Sequence, residues 1–187
     1  MIDATADVVS SMGRIDSCFA NAGVGFGAPS FIEMTTETWR KNMAVNLEGA
    51  FWTLRESVKH MTERAKAGDP GGSVVGVASL AGIEGAARNQ AYAATKGGLP
   101  SMLRGIAVEC GRYGIRANSI LPGWIATDMT AGAQDNDVFT TKVITSVPIR
   151  RWGAPEDFGG MAVYLASDAS RYHSGTTCII DGGYAIF

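Results

Sequence analysis

With 187 residues, 46% of them hydrophobic, the chain is long enough for one domain with a sizeable core and too apolar for a disordered segment. A net charge of −2 supplies no basic field, so nucleic acid is not an expected partner. No apolar run approaches the ~20 residues that span a bilayer, so no membrane partner is expected either.

Residues 1–7 lack the basic flank and apolar block of a signal peptide. The three cysteines form no CxxC pair and only two histidines accompany them, a poor set for zinc or for a disulfide framework. Reduced thiols in a cytoplasmic protein are the expectation.

In chain order, residues 4–12 read as the end of a helix closed by Gly13. Residues 15–20 form a short apolar strand that stops at Asn21-Ala22-Gly23. Thr35 or Thr36 can cap a long helix from about Glu37 into the Arg64 region, halted before Asp69-Pro70-Gly71-Gly72. Residues 73–78 are the clearest buried strand. A helix follows over 90–110, then a strand over 116–121. Residues 126–147 are polar and irregular, with a short helix in the middle. Ala154-Pro155-Glu156-Asp157 opens another helix, with proline at its first position and acids in its first turn. Residues 178–180 are a last strand before Asp181-Gly182-Gly183, read as a structural turn. Strands alternating with helices predict βα units around a parallel sheet, in one α/β domain over 1–187.

The helix at 90–110 carries the strongest chemical signal. Tyr92 and Lys96 are four apart and share a face, which continues as Leu99, Leu103, Ile106 and Cys110 into the core. Its polar end therefore points into a cleft. Pro100 cannot donate to the Lys96 carbonyl, so a local kink is expected. A phenol beside a fixed ammonium has a stabilised phenolate, and hence a lowered pKa suited to proton transfer. Ser79 follows the 73–78 strand, where open α/β sheets place ligands, and its hydroxyl can bond a carbonyl oxygen. Asn46 lies inside a helix, where asparagine has mediocre propensity; on an apolar face it indicates a held water or a deliberate distortion.

Ala20-Asn21-Ala22-Gly23, Asn46, Val77-Ala78-Ser79, Tyr92-Ala93-Ala94-Thr95-Lys96, Pro122-Gly123-Trp124-Ile125 and Asp181-Gly182-Gly183 fall in order, with Ser79 standing 13 residues before Tyr92. This set resembles the short-chain dehydrogenase/reductase family over essentially the whole chain. The resemblance implies a Rossmann-like, doubly wound parallel sheet and an NAD(P)-dependent oxidoreductase. Its substrate would be a small-molecule alcohol or ketone, and its assembly a homo-oligomer, dimer or tetramer. The helices at 37–64 and 90–110 would form the natural interface.

By the same resemblance Tyr92 is the general acid/base and Lys96 lowers its pKa while binding the nicotinamide ribose. Ser79 orients the carbonyl, and Asn46 holds a water in a relay to Lys96. Asn21, Ala22 and Gly23 lie beside the cofactor, while Pro122, Gly123, Ile125 and Thr127 meet its nicotinamide end. Residues 126–147 correspond to the variable substrate loop. The motif order is similar to that of 3-oxoacyl-carrier-protein reductases and of glucose dehydrogenases.

One family feature has no counterpart. The cluster Gly23-Val24-Gly25-Phe26-Gly27 follows a strand but does not open a helix, so it is rejected as the pyrophosphate loop. The motif alignment starts the chain within the helix before the family's fourth strand. The first three strands are then expected to be absent, leaving strand 15–20 as an apolar edge. The side chain that chooses NAD or NADP would be absent too. The competing expectation is a non-catalytic remnant acting at most as an interaction module. A hydrolase built on Ser79 is rejected, because no histidine forms a triad pattern and no G-x-S-x-G elbow surrounds it.

Overall fold

The computed structural model describes residues 2–187. Four parallel strands, β1 (Ser17–Ala20), β2 (Gly72–Val77), β3 (Ile115–Pro122) and β4 (Thr177–Ile180), lie side by side in chain order. Helices connect and flank them: α1 (Ile2–Met12), α2 (Thr36–Asn42), α3 (Ala50–Lys66), α4 (Ala81–Glu84), α5 (Gln90–Cys110), α6 (Ala131–Gln134), α7 (Asp137–Ser146) and α8 (Gly159–Ala166).

Both faces of the sheet are covered, as parallel strands require. Val74 and Val75, adjacent on β2, are fully buried on opposite faces. Val74 joins Leu54, Met61, Leu99 and Leu103 from α3 and α5; Val75 joins Ile120 and Leu165, the latter from α8. β1 is an edge strand of this sheet, with Phe19 partly exposed.

Glycine lets α5 approach closely. A Cβ on Gly76 would stand 2.7 Å from Leu103 Cδ1, so the bare backbone of β2 seats the apolar stripe of α5. A Cβ on Gly82 would stand 2.5 Å from the Lys96 carbonyl oxygen, so α4 crosses α5 backbone to backbone. That carbonyl is the one Pro100 leaves without its helical donor. The helix nevertheless runs unbroken from Gln90 to Cys110.

Two regions differ from the sequence reading. The long helix expected after Thr35 does begin there, with Thr35 Oγ1 accepting from the Thr38 N–H (3.1 Å). Between α2 and α3, however, Met43–Gly49 is π-helical. The wider turn is centred on buried Asn46, and such insertions gather at functional sites. Residues 126–147 are more helical than expected: a 3₁₀ turn at Asp128–Thr130 leads into α6 and α7. Thr130 and Gln134 side chains bonded to nearby carbonyls build these turns, a local support that apolar periodicity does not reveal.

Candidate active site

The carboxyl ends of β1, β2 and β3 open into a cleft of about 760 Å³. Asn21, Ala22, Gly23, Ser79, Tyr92, Lys96, Pro122, Gly123, Ile125 and Thr127 all line it. Of the residues singled out in the sequence, only Asn46 stands behind the wall. A second lobe of about 360 Å³ shares Ser79, Tyr92, Pro122, Gly123, Met129 and Thr130 with the first. Ser79 and Tyr92 therefore form the partition, with Lys96 on one side only.

Lys96 is 4% exposed. Its ammonium donates to the Val77 carbonyl (2.8 Å) and lies 5.6 Å from the Tyr92 ring centroid. Burial pulls its pKa down to about 8. The Tyr92 phenol moves the other way from the expectation: burial pushes it up, and the neighbouring Ser79 hydroxyl counters this only partly. Desolvation of the phenolate dominates, and the Lys96 ammonium is bonded to main chain. The lowered Tyr92 pKa read from the sequence is therefore corrected. Ser79 Oγ accepts from the Ala81 N–H (3.2 Å), which fixes the hydroxyl at the start of α4.

Asn46 is almost fully buried and its side chain is well used. Its Oδ1 accepts from the Val24 N–H (2.8 Å); its Nδ2 donates to the Val24 carbonyl (2.8 Å) and to Thr95 Oγ1 (3.2 Å). Both amide donors are committed to protein, so the side chain is a clamp. A Cβ on Gly23 would stand 3.3 Å from Lys96 Nζ and 3.6 Å from Asn46 Oδ1, so glycine there keeps the clamp and the ammonium in one compact layer.

Two contributors escaped the sequence reading. Asn42, fully buried, clamps Phe26 as Asn46 clamps Val24, donating to the Phe26 carbonyl (2.9 Å). Thr95 donates to the Tyr92 carbonyl (2.7 Å) while accepting from Asn46. The signal was present for the first: two asparagines four apart in one helix. The clamps also account for the glycine cluster at 23–27. The Val24 and Phe26 amides are taken by the two side chains and are not available to a phosphate.

The family model described as enoyl-(acyl carrier protein) reductase matches residues 1–185. The chain is 36% identical over 180 residues to the L-rhamnose 1-dehydrogenase (NAD(P)(+)) of Azotobacter vinelandii, covering 95% of this chain and 68% of that one. It is 33% identical to the 5-keto-D-gluconate 5-reductase of Escherichia coli (strain K12), covering 99% of this chain and 71% of the relative. Among solved structures, a gluconate 5-dehydrogenase from Burkholderia cenocepacia in complex with NADP and tartrate superposes with a TM-score of 0.92 at 30% identity, covering 98% of this chain and 70% of that one. The chain belongs to the short-chain dehydrogenase/reductase family. It spans about two thirds of the length of these relatives.

Proposed function

We propose that the chain acts as an NAD(P)-dependent oxidoreductase interconverting a secondary alcohol and a ketone, on a carbohydrate-like small molecule. The observation that carries this reading is one cleft in which a phenol, a buried amine and a hydroxyl meet at the mouth of β2. The carbohydrate dehydrogenases among its relatives support the substrate class.

The residues fit the ribose end of a nicotinamide cofactor. An ammonium has three donors, and Lys96 spends one on Val77, which leaves two for ribose hydroxyls. Asn21, Ala22 and Gly23 would form one wall, with Pro122, Gly123, Ile125 and Thr127 at the nicotinamide end. The cofactor, NAD or NADP, supplies hydride acceptance or donation when bound. In the oxidative direction the Tyr92 phenolate oxygen takes the proton of the substrate hydroxyl as hydride leaves the same carbon. In reduction the phenol returns that proton to the alkoxide. Ser79 Oγ donates to the carbonyl oxygen and steadies its developing charge. Lys96, with a pKa of about 8, is mostly charged at neutral pH and favours the phenolate during transfer. Asn46 is a positioning residue that holds the Gly23–Val24 wall against Thr95 and Lys96.

The pyrophosphate half of the cofactor is proposed to rest on residues other than these. Among the described residues no glycine turn opens an α-helix after a strand. A cytoplasmic setting is proposed from the free thiols of Cys18, Cys110 and Cys178. A homo-oligomer is proposed from exposed Val45, Phe51 and Trp52 before and within α3 and Val108 on α5. No described helix is long and apolar enough to cross a membrane.

Tyr92→Phe tests the reading. NAD(P)-linked turnover is expected to fall at least ~100-fold with the circular dichroism spectrum retained; near-full turnover would reject the assignment. Titration with NADH and NADPH tests the alternative, since failure of both to bind would favour the non-catalytic remnant.

A further inference from the structure

We propose that the second lobe of the cleft selects neutral polyhydroxylated substrates over sugar acids, with Asn89 receiving a substrate hydroxyl and Glu84 repelling a carboxylate. The proposal rests on the oxidoreductase reading above and adds a charge preference to it. Because Ser79 and Tyr92 face both lobes, a substrate whose reacting carbon lies at that partition extends its remaining carbons into the second.

That lobe is amphipathic in the way a sugar is. Trp124 and Tyr184 form an aromatic wall, with ring centroids 6.4 Å apart and planes at 82°. Such a wall accepts the C–H face of a carbohydrate. Asn89 lines the same lobe at the start of α5, where asparagine ordinarily caps its own helix. Here it makes no cap. Its main chain is held on both sides, since its N–H donates to the Ala86 carbonyl (3.1 Å) and its carbonyl accepts from the Ala93 N–H (3.0 Å). Its Oδ1 is nonetheless buried without a partner. Among the described residues no hydrogen bond engages its Nδ2 either, and that atom, on the side of Gly25, is the one the carboxamide leaves open to the lobe. A sugar hydroxyl, both donor and acceptor, pairs with whichever amide atom occupies that open position.

Among the described residues Glu84 is the one charged side chain lining the second lobe. No lysine or arginine lines it, and Lys96 faces the first lobe alone. Asp181 adds negative field nearby, its carboxylate fixed by the Gly183 N–H (2.8 Å) and the Ala185 N–H (2.7 Å). Recognition of a carboxylate calls for a cation, best a forked arginine. This lobe offers the opposite sign.

The relatives provide both probes, neutral L-rhamnose and anionic D-gluconate. Each is titrated into the chain by isothermal calorimetry and saturation-transfer NMR, with no turnover required. L-rhamnose is expected to bind about tenfold tighter than D-gluconate at low salt, the size of one like-charge contact near a surface. Added salt should shrink the ratio, and Glu84→Gln should narrow it at least threefold. Asn89→Ala should weaken L-rhamnose binding about tenfold with no fall in melting temperature, because no cap is lost. Three results overturn the proposal: D-gluconate binding as tightly or tighter, a ratio unmoved by Glu84→Gln, or no saturable L-rhamnose binding. Full turnover in Tyr92→Phe with the sugar preference intact would strike the catalytic assignment alone. A failed preference with a dead Tyr92→Phe variant would strike this lobe alone.

Discussion

The floor and the roof of the cleft are held in different ways. In the floor, functional groups are tied across long stretches of chain. Lys96 reaches Val77, 19 residues away, and Asn46 reaches Val24 and Thr95, 22 and 49 residues away. In the roof, over residues 127–146, the bonds are local: Thr130 to Ile125, Gln134 to Thr130 and Thr140 to Gln134 span 5, 4 and 6 residues. One aromatic cluster, Trp124 against Phe139, Trp152 and Tyr184, joins the roof to the rest. Long-range ties make the floor part of global folding, whereas local ties let the roof change without it.

The sharpest break of that contrast lies at the α4–α5 crossing. Gly82→Ala puts a methyl 2.5 Å from the Lys96 carbonyl, with backbone on both sides and no flexible side chain to yield. A loss of about 3 kcal/mol in urea unfolding is expected. A loss under ~0.5 kcal/mol would show that the floor yields as readily as an ordinary surface site.

The next effect is pH-dependent. Lys96 has a folded pKa of about 8, below its ordinary 10.5, so between those values the unfolded chain binds more protons than the folded one. Folding stability from this group therefore rises as pH climbs from about 8 to 10.5, and the penalty of the buried charge is fully present below 8. Lys96→Met is expected to abolish turnover while stabilising the fold at pH 7 by on the order of 2 kcal/mol, after allowing for the unpaired Val77 carbonyl. That gain should vanish by pH 10.5. Urea unfolding at pH 7 and 10.5 reads the difference, and an identical gain at both would contradict the assigned burial.

Asn46→Ala removes three hydrogen bonds from one buried side chain, with an expected loss of about 2 kcal/mol. It should also loosen the Gly23–Val24 wall, seen as faster hydrogen exchange at the Val24 amide; unchanged exchange would mean the clamp is redundant. In the roof, Gln134→Ala breaks bonds to Thr127 and Thr130 and is expected to shift stability by less than ~0.5 kcal/mol. A shift as large as that of Asn46→Ala would erase the distinction between the two regions.

Much of the floor was legible in the residues themselves. The Tyr92–Lys96 spacing and the apolar stripe below it define a helix face, and α5 has the bounds that this periodicity predicts, Gln90–Cys110. Ser79 at the end of an apolar run reads as a strand mouth, and the cleft has it there. Asn46 was legible only as an anomaly. A mid-helix asparagine signals either a distortion or a water site, and the choice needs its partner Val24, which belongs to another element. The roof was hardest to read, because its turns are made by Thr130, Gln134 and Thr140 bonding carbonyls that no periodicity marks.

Residue order alone determined the strands, the helix that carries the phenol and amine, and the side of the sheet on which they meet. Those features follow from the period of apolar residues and from the fixed geometry of a helical turn. Only the folded chain decided the direction of the Tyr92 pKa, the π-helical turn around Asn46 and the unpartnered carboxamide of Asn89. Each of these depends on how much water is excluded and which distant backbone group arrives alongside, and both are properties of packing that no single stretch of residues contains.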